Sequence, residues 1–350
     1  MLWSIYPTDA DSRVDLVASQ ASVGGGEVFT SLHLPEDHDR SRFLERLSEL
    51  HQQYGLRFWA DVSGRSLPGL EPASLAERGI IGLRLDDGFD VVTIRRIADD
   101  TCLRIALNAS TATPAFVDAL ADLEPLGWHN FYPRPGTGLT EEAFDVGTSA
   151  FITRGLDVIA FLPGECGLRS PLYLGLPTLE HHRHRNAWLN IVDLLSRGVR
   201  PALAEGVLRR EHLAWLRRLD QDGVLTLPLA DLHPDRDDLR GVHQLRPDGG
   251  VGSWRVEGTR AGAVPDSVPG SVRRRGSLQV DTLGRYRGEV HLVREDLPLD
   301  PAWHRAGEVA GPYVELMSSL RGGQRVEFLS GWGSGADCDH DTAQPQQPSR

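Results

Sequence analysis

Eight short apolar runs, separated by longer amphipathic stretches, recur along the first two-thirds of this 350-residue chain, and no other feature restricts its fold as tightly. The runs are LWSIY (2–6), EVFTSL (27–32), LRFWADV (56–62), IIGLRLD (80–86), CLRIALN (102–108), WHNFY (128–132), DVIAFL (157–162) and RPALAE (200–205). Each is too short for a helix of ordinary length and reads as a strand of a parallel sheet that helices cover. The stretches between them, among them Arg40–Tyr54, Pro114–Leu123, Glu141–Arg154 and Leu179–Arg197, have helical spacing. Eightfold alternation of this kind predicts an α/β fold, a TIM (β/α)8 barrel over residues 1–231, near the ~250 residues usual for it. The GGG at 24–26 precedes the second run instead of following the first, so it reads as a helix-ending turn and not as a nucleotide loop.

Beyond Gly223 the pattern changes. Residues 232–330 are punctuated by Pro, Gly and Arg, and RRGSLQVDTLGRYRGEVHLV (274–293) alternates with period two, as a hairpin does. VAGPYVELMSSLRGG (309–323) reads as a short helix with its stop. A second, smaller, β-rich domain is expected there, and the polar residues 331–350 read as a disordered tail.

Charge and composition narrow the function. The net charge of −12 argues against nucleic acid as a partner, because phosphate-backbone binding needs a basic surface. No run approaches the ~20 apolar residues of a membrane span, and MLWSIYP opens into a strand pattern instead of a signal peptide, so a cytoplasmic location is expected. Nothing in the pattern sets the number of subunits, and an oligomer is compatible with it. Cys102, Cys166 and Cys338 share no metal-ligand spacing, and their odd number suggests free thiols. All 37 basic residues are arginine; without lysine, imine chemistry on a side-chain amine is closed to this chain. No cofactor is expected.

A TIM barrel carries its site where the strands end. Those ends supply Tyr6, Ser31, His33, Asp61, Asp86, Asp87, Asn108, Asn130, Tyr132 and Glu205. Two loops are unusually rich in functional groups: HNFYPRPGTGL (129–139) after run six and LRSPLYLGLPTLEHHR (168–183) after run seven. Cleavage of an acetal needs one protonated and one ionised carboxyl group, for which Asp61, Asp86, Glu180 and Glu205 are candidates, with Asp61 and Asp86 the first pairing. Arg134 and Arg169, perched beside Pro or Ser, suit a bidentate grip on an anion, with Arg183 in support. Asn108, His129 and Asn130 are placed to orient hydroxyls, Tyr6, Trp59 and Tyr132 to stack on a sugar, and His33 and Thr178 complete the binding list. HHRHR (181–185) has the composition of a metal cluster, but a helix would turn its members to different faces, so a solvated charged face is expected and no metal is assigned.

SIYP (4–7), FTSLHLPED (29–37), ADVS (60–63), GLRLDDGF (82–89), LNAST (108–112), HNFYPRPGTGL and RSPLYLGLPTLEHHR (169–183) resemble, in order, the 6-phospho-N-acetylmuramidase family. GSLQVDTLGRYRGEVHLV (276–293) is similar to that family's second domain. The resemblance implies a TIM barrel followed by a cyclophilin-like domain. It also implies a cytoplasmic glycosidase of peptidoglycan recycling whose substrate is N-acetylmuramic acid 6-phosphate linked to N-acetylglucosamine. The arginines would then hold the phosphate and the lactyl carboxylate. Three departures stand out: Leu174 where the family's PLYEGLPT has an acid, Ala204–Glu205 where Gly-Asp is expected, and Thr282 in place of Asn. Two rival readings remain: a metal-assisted hydrolase or aldolase using His33, Asp61, Asp86 and His129, and a catalytically silent sugar-phosphate binder.

Overall fold

A computed structural model describes residues 1–32, 40–64, 66, 72–86, 88–266 and 272–331. His33, Asp87, Cys338 and the expected tail past Gly331 lie outside the described residues. The described residues divide into two compact units, Met1–Arg209 and Arg210–Gly331.

In the first unit eight parallel strands follow one another around a barrel in sequence order: β1 (Trp3–Ser4), β2 (Glu27–Ser31), β3 (Arg57–Val62), β4 (Ile80–Leu85), β5 (Arg104–Asn108), β6 (Leu126–Trp128), β7 (Val158–Leu162) and β8 (Arg200–Leu203). The ring is completed by a parallel bridge between Leu2 and Ala202, with Leu2 N–H donating to the Pro201 carbonyl at 3.0 Å and Leu203 N–H to that of Leu2 at 2.9 Å. This is the TIM-type barrel the alternation predicts. Gly24 ends the helix Asp11–Val23 as a C-cap, as read from the GGG.

The barrel interior is filled by large rings set against small neighbours. Phe29, Trp59, Trp128 and Phe161 are fully buried together with Ala106, Ala202 and Ala204. Their rings meet at centroid distances of 5.0 Å (Phe29–Phe161), 5.2 Å (Phe29–Trp128) and 5.8 Å (Trp59–Trp128), and each such pair adds ~0.5–1.5 kcal/mol beyond area burial. Gly82 on β4 makes the packing possible, since a Cβ there would fall 2.3 Å from the Trp59 ring.

Two expected elements differ. Run six stops at Trp128, and Phe131 and Tyr132 leave the sheet: Phe131 packs edge-on against Phe161 and Tyr6 at the barrel end, so its strand-like character serves a capping contact instead of a ladder. The helix expected over Leu179–Arg197 is a 3-10 turn, Glu180–His182, followed by a helix over Ala187–Ser196. Asn186 starts that helix by accepting the Trp188 N–H at 2.8 Å, a local side-chain bond that competes with continuous helix.

The second unit is built on a seven-stranded sheet in the order Gly241–Gln244, Arg325–Leu329, Val224–Leu232, Trp303–Val309, Ser277–Asp281, Val290–Val293, Ser253–Val256. All neighbouring pairs are antiparallel except Arg325–Leu329 with Val224–Leu232. The hairpin read from 274–293 is present as Ser277–Asp281 paired with Val290–Val293, while 311–318 is a 3-10 segment. Cys102 is free, but Cys166 is disulfide-bonded, which corrects the reading of three free thiols; an odd count leaves room for one pair. No described helix is long and apolar enough to cross a membrane.

Candidate functional site

The ends of β3 to β6 converge on Arg84, a residue the strand-end inventory passed over. Neighbouring strands β3 and β4 pair Asp61 with Arg84 in register, which sets the two side chains side by side. Arg84 is buried, and its Nη1 donates to Asp61 Oδ1 at 2.6 Å and to Asp86 Oδ1 at 3.1 Å. Its Nη2 donates to Asn130 Oδ1, and the Trp128 carbonyl accepts from Nε and Nη2 at 3.4 Å. Asn108 adds a bond from Nδ2 to Asp86 Oδ1 at 3.1 Å. Asp61, Asp86, Asn108 and Asn130 are thus brought together as expected, around a buried cation instead of an open space. Both Asp86 bonds use Oδ1, and its side chain is 29% exposed where that of Asp61 is 8% exposed. The signal for Arg84 was available: an arginine inside an otherwise apolar run, two residues from one acid.

His129 faces inward. Its Nδ1 lies 3.2 Å from Ser110 Oγ and its Nε2 3.0 Å from Thr148 Oγ1, the ring stacks on Phe144, and burial, with Arg84 nearby, lowers its pKa to about 3. With both nitrogens engaged inside the protein it stands apart from the metal set considered with Asp61 and Asp86, and from any sugar hydroxyl. Thr178 ties the two long loops to the barrel: its Oγ1 donates to the Asn130 carbonyl at 2.8 Å and accepts the Phe161 N–H at 2.9 Å.

Glu180 and Arg183 form a brace. Arg183 Nε and Nη2 each donate to one Glu180 oxygen at 2.7 Å, Nη1 donates to the Gly175 carbonyl and Nη2 to that of Arg134. The Glu180 oxygens also accept the N–H groups of Gly136 and Gly138 at 2.8 and 2.7 Å. The Arg183 guanidinium and these amides hold its carboxyl down at about 2. The effect is to fix the PRPGTG turn, with the exposed Arg134 at its apex; among the described residues its guanidinium has no protein partner. Tyr132 is part-buried below, its N–H bonded to the Pro177 carbonyl.

On the far side of the Phe131 ring, β1, β8 and the loop after β7 meet. Glu205 is 3% exposed; Oε2 accepts the Arg169 N–H, while Oε1 is buried with no partner. Burial pushes its carboxyl up to about 7, against the partial offset of the Arg169 amide and charge. The Arg169 guanidinium lies 4.1 Å above the Tyr6 ring and reaches Thr8 Oγ1 at 3.3 Å. Tyr6 donates its hydroxyl to the Ala204 carbonyl at 2.8 Å, and burial raises its pKa. Leu172, Tyr173 and Leu174 stand exposed on the same loop.

A cavity of about 980 Å³ is lined by Tyr6, Thr8 and Asp9 but not by Glu205 or Arg84, and a 250 Å³ cavity is lined by Asp86 and Asn108. Charge and burial of the side chains, not cavity size, mark the chemistry. The site thus holds one buried carboxyl pushed up to about 7, two carboxylates on a guanidinium and the guanidiniums of Arg134 and Arg169; acid-assisted cleavage of an acetal needs one protonated and one ionised carboxyl group.

A family described as 6-phospho-N-acetylmuramidase, N-terminal, matches residues 3–202. Two solved structures are similar over nearly the whole length. A conserved protein of unknown function from Enterococcus faecalis is 25% identical, with a TM-score of 0.78 over 95% of this chain and 96% of that one. An uncharacterized B. cereus protein is 23% identical, with a TM-score of 0.76 over 94% and 98%. No curated protein matches the chain.

Proposed function

The chain belongs to the 6-phospho-N-acetylmuramidase family, and from that premise we propose that it is a glycoside hydrolase cleaving the bond between 6-phosphorylated N-acetylmuramic acid and N-acetylglucosamine. The observation that carries this reading is Glu205, a carboxyl 3% exposed and held protonated to about pH 7 by burial. A proton donor to a leaving glycosidic oxygen needs that state at neutral pH. The ion pairs of Asp61 and Asp86 with Arg84 use the ionised forms, so this first pairing supplies no proton, and Glu205 replaces one member of it.

In the proposed mechanism Glu205 protonates the leaving oxygen as the C–O bond breaks. Asp86, through its open Oδ2, either attacks the anomeric carbon, and a water that gives its proton to the ionised Glu205 then displaces it from that carbon, or takes a proton from the attacking water and loses it to solvent while Glu205 is reprotonated from solvent. Asp61 and Arg84 hold Asp86 in place, and Asn108 and Asn130 present amides to sugar hydroxyls. Arg169 and the braced Arg134 receive the phosphate and the lactyl carboxylate, and Tyr132 offers a ring to the sugar. His129, Thr178, Glu180 and Arg183 position the loops. The β-rich unit takes the place of the family's cyclophilin-like domain, and the reaction fits peptidoglycan recycling in the cytoplasm.

The test offers the purified protein the phosphorylated disaccharide and its unphosphorylated counterpart, with product followed by chromatography. Turnover of the first alone is expected. Equal turnover of both would remove the phosphate grip. Turnover of neither, with binding retained, would favour the silent sugar-phosphate binder, the reading that Leu174 supports by standing where the family has an acid.

A further inference from the structure

The HHRHR run is left over by the chemistry of the barrel mouth. Instead of lying on a solvated helix face, its first two members end the 3-10 turn Glu180–His182, and the Asn186 cap redirects the chain so that Asp193, on the helix Ala187–Ser196, comes back against them. Nε2 of His182 lies 2.9 Å from Asp193 Oδ2, and Nε2 of His181 lies 3.7 Å from the same oxygen. The three residues can present one ligand atom each within 4.8 Å of one another. We propose that His181, His182 and Asp193 bind a divalent transition-metal ion of the zinc class, at a site separate from the barrel mouth.

Nitrogen and oxygen ligands bound at about 2.0–2.2 Å in a tetrahedron lie roughly 3.3 Å apart. The two spacings to Oδ2 bracket that edge, and the two imidazole nitrogens lie within 4.8 Å of each other. Two imidazoles and one carboxylate suit zinc, nickel or copper better than magnesium or calcium. His181 is about a third exposed, which leaves an entry path and a fourth position for water. Arg197 takes the other carboxylate oxygen, Oδ1, at 3.4 Å, and so leaves Oδ2 to the imidazoles. Glu141 Oε1 lies 3.7 Å from His181 Nδ1, the place of the outer carboxylate that orients a ligating imidazole. His182 lacks that support, because its Nδ1 is buried with no partner. The outer shell is therefore half built, and binding in the micromolar range is expected. Metal on Nε2 displaces the bond from His182 to Asp193, and the ring proton then sits on Nδ1. The ion would join the turn that carries Glu180 to the following helix, and so stiffen the brace under the 129–139 loop.

The test is a titration of the metal-free, untagged full chain with Co2+, read by visible absorption, and with Zn2+, read by calorimetry. One ion per chain is expected, with the strong visible bands of four-coordinate cobalt. His181→Ala, at an exposed position, should weaken binding at least about tenfold while the melting temperature without metal stays unchanged. Asp193→Asn should do the same if it folds. His184→Ala, one exposed histidine further on, should leave affinity unaltered. No binding by the unmodified chain, or equal losses in His181→Ala and His184→Ala, would overturn the site and leave a diffuse histidine surface. None of these readouts depends on glycosidase activity.

Discussion

At the barrel mouth the same functional group takes two states because its neighbours differ. Glu205 is buried, and desolvation outweighs the Arg169 and Arg13 charges and the Arg169 and Leu176 amides near it; Asp61 and Asp86 share a guanidinium. Linkage then fixes a sign. The folded chain holds the Glu205 proton up to about pH 7 while the unfolded chain releases it near 4.5, so stability falls as pH rises through that window. Glu205→Gln should be more stable than the parent at pH 8, by up to about 3 kcal/mol, and equal to it at pH 4, as measured by urea unfolding. The same variant should lose turnover, and the parent's kcat/KM should drop tenfold per pH unit above about 7. An alkaline limb near pH 9, or none, would refute Glu205 as the donor. Arg84→Met should destabilise by about 3–5 kcal/mol, because it strands the buried Asp61 charge without a partner; a loss under about 1 kcal/mol would show that the network contributes little.

Elements matter at the mouth mainly through the two long loops. The loop after β6 is held by the segment that follows β7: Leu139 forms a parallel bridge with Leu179, and the side chains of Thr178 and Glu180, more than 40 residues on, bond Asn130, Gly136 and Gly138. Gly138 is where this brace leaves no space, since a Cβ there would stand 2.5 Å from Glu180 Oε2 and 2.9 Å from its backbone. Gly138→Ala should displace the turn carrying Arg134 and reduce kcat/KM for the phosphorylated substrate by up to about 100-fold, with the second unit's stability untouched. Steady-state kinetics check this, and unchanged kinetics would mean that Arg134 does not grip the substrate. The alternation that predicts the strands says nothing of such a brace, because its partners are distant in sequence. The strand reading of 128–132 and the unbroken helix over 179–197 differ from the structure for two reasons: Phe131 is taken up by a tertiary contact with Phe161, and the Asn186 cap restarts the helix locally while His182 turns to Asp193.

At the scale of the whole molecule, a lysine-free chain of net charge −12 would meet the anionic substrate proposed for it through arginines alone. Arg169 lies over Tyr6 and Arg134 tops a braced turn, so the positive charge sits on planar forks. Amine acylation should therefore modify no side-chain amine, seen as the absence of multiple labels in the intact mass, and turnover should survive it. Loss of activity on acylation would point to chemistry outside the side chains assigned to the mouth.

The barrel was readable from the chain because burial of strands and amphipathic helices leaves a periodic trace, and period is a local property. Asp61, Asp86, Asn108 and Asn130 were readable as strand ends for the same reason. That Arg84 joins them, that Glu180 braces where an acid was expected to react, and that Glu205 keeps its proton depend on desolvation and on partners supplied by remote segments. Such quantities exist only once the chain has closed on itself, and no spacing along it encodes them.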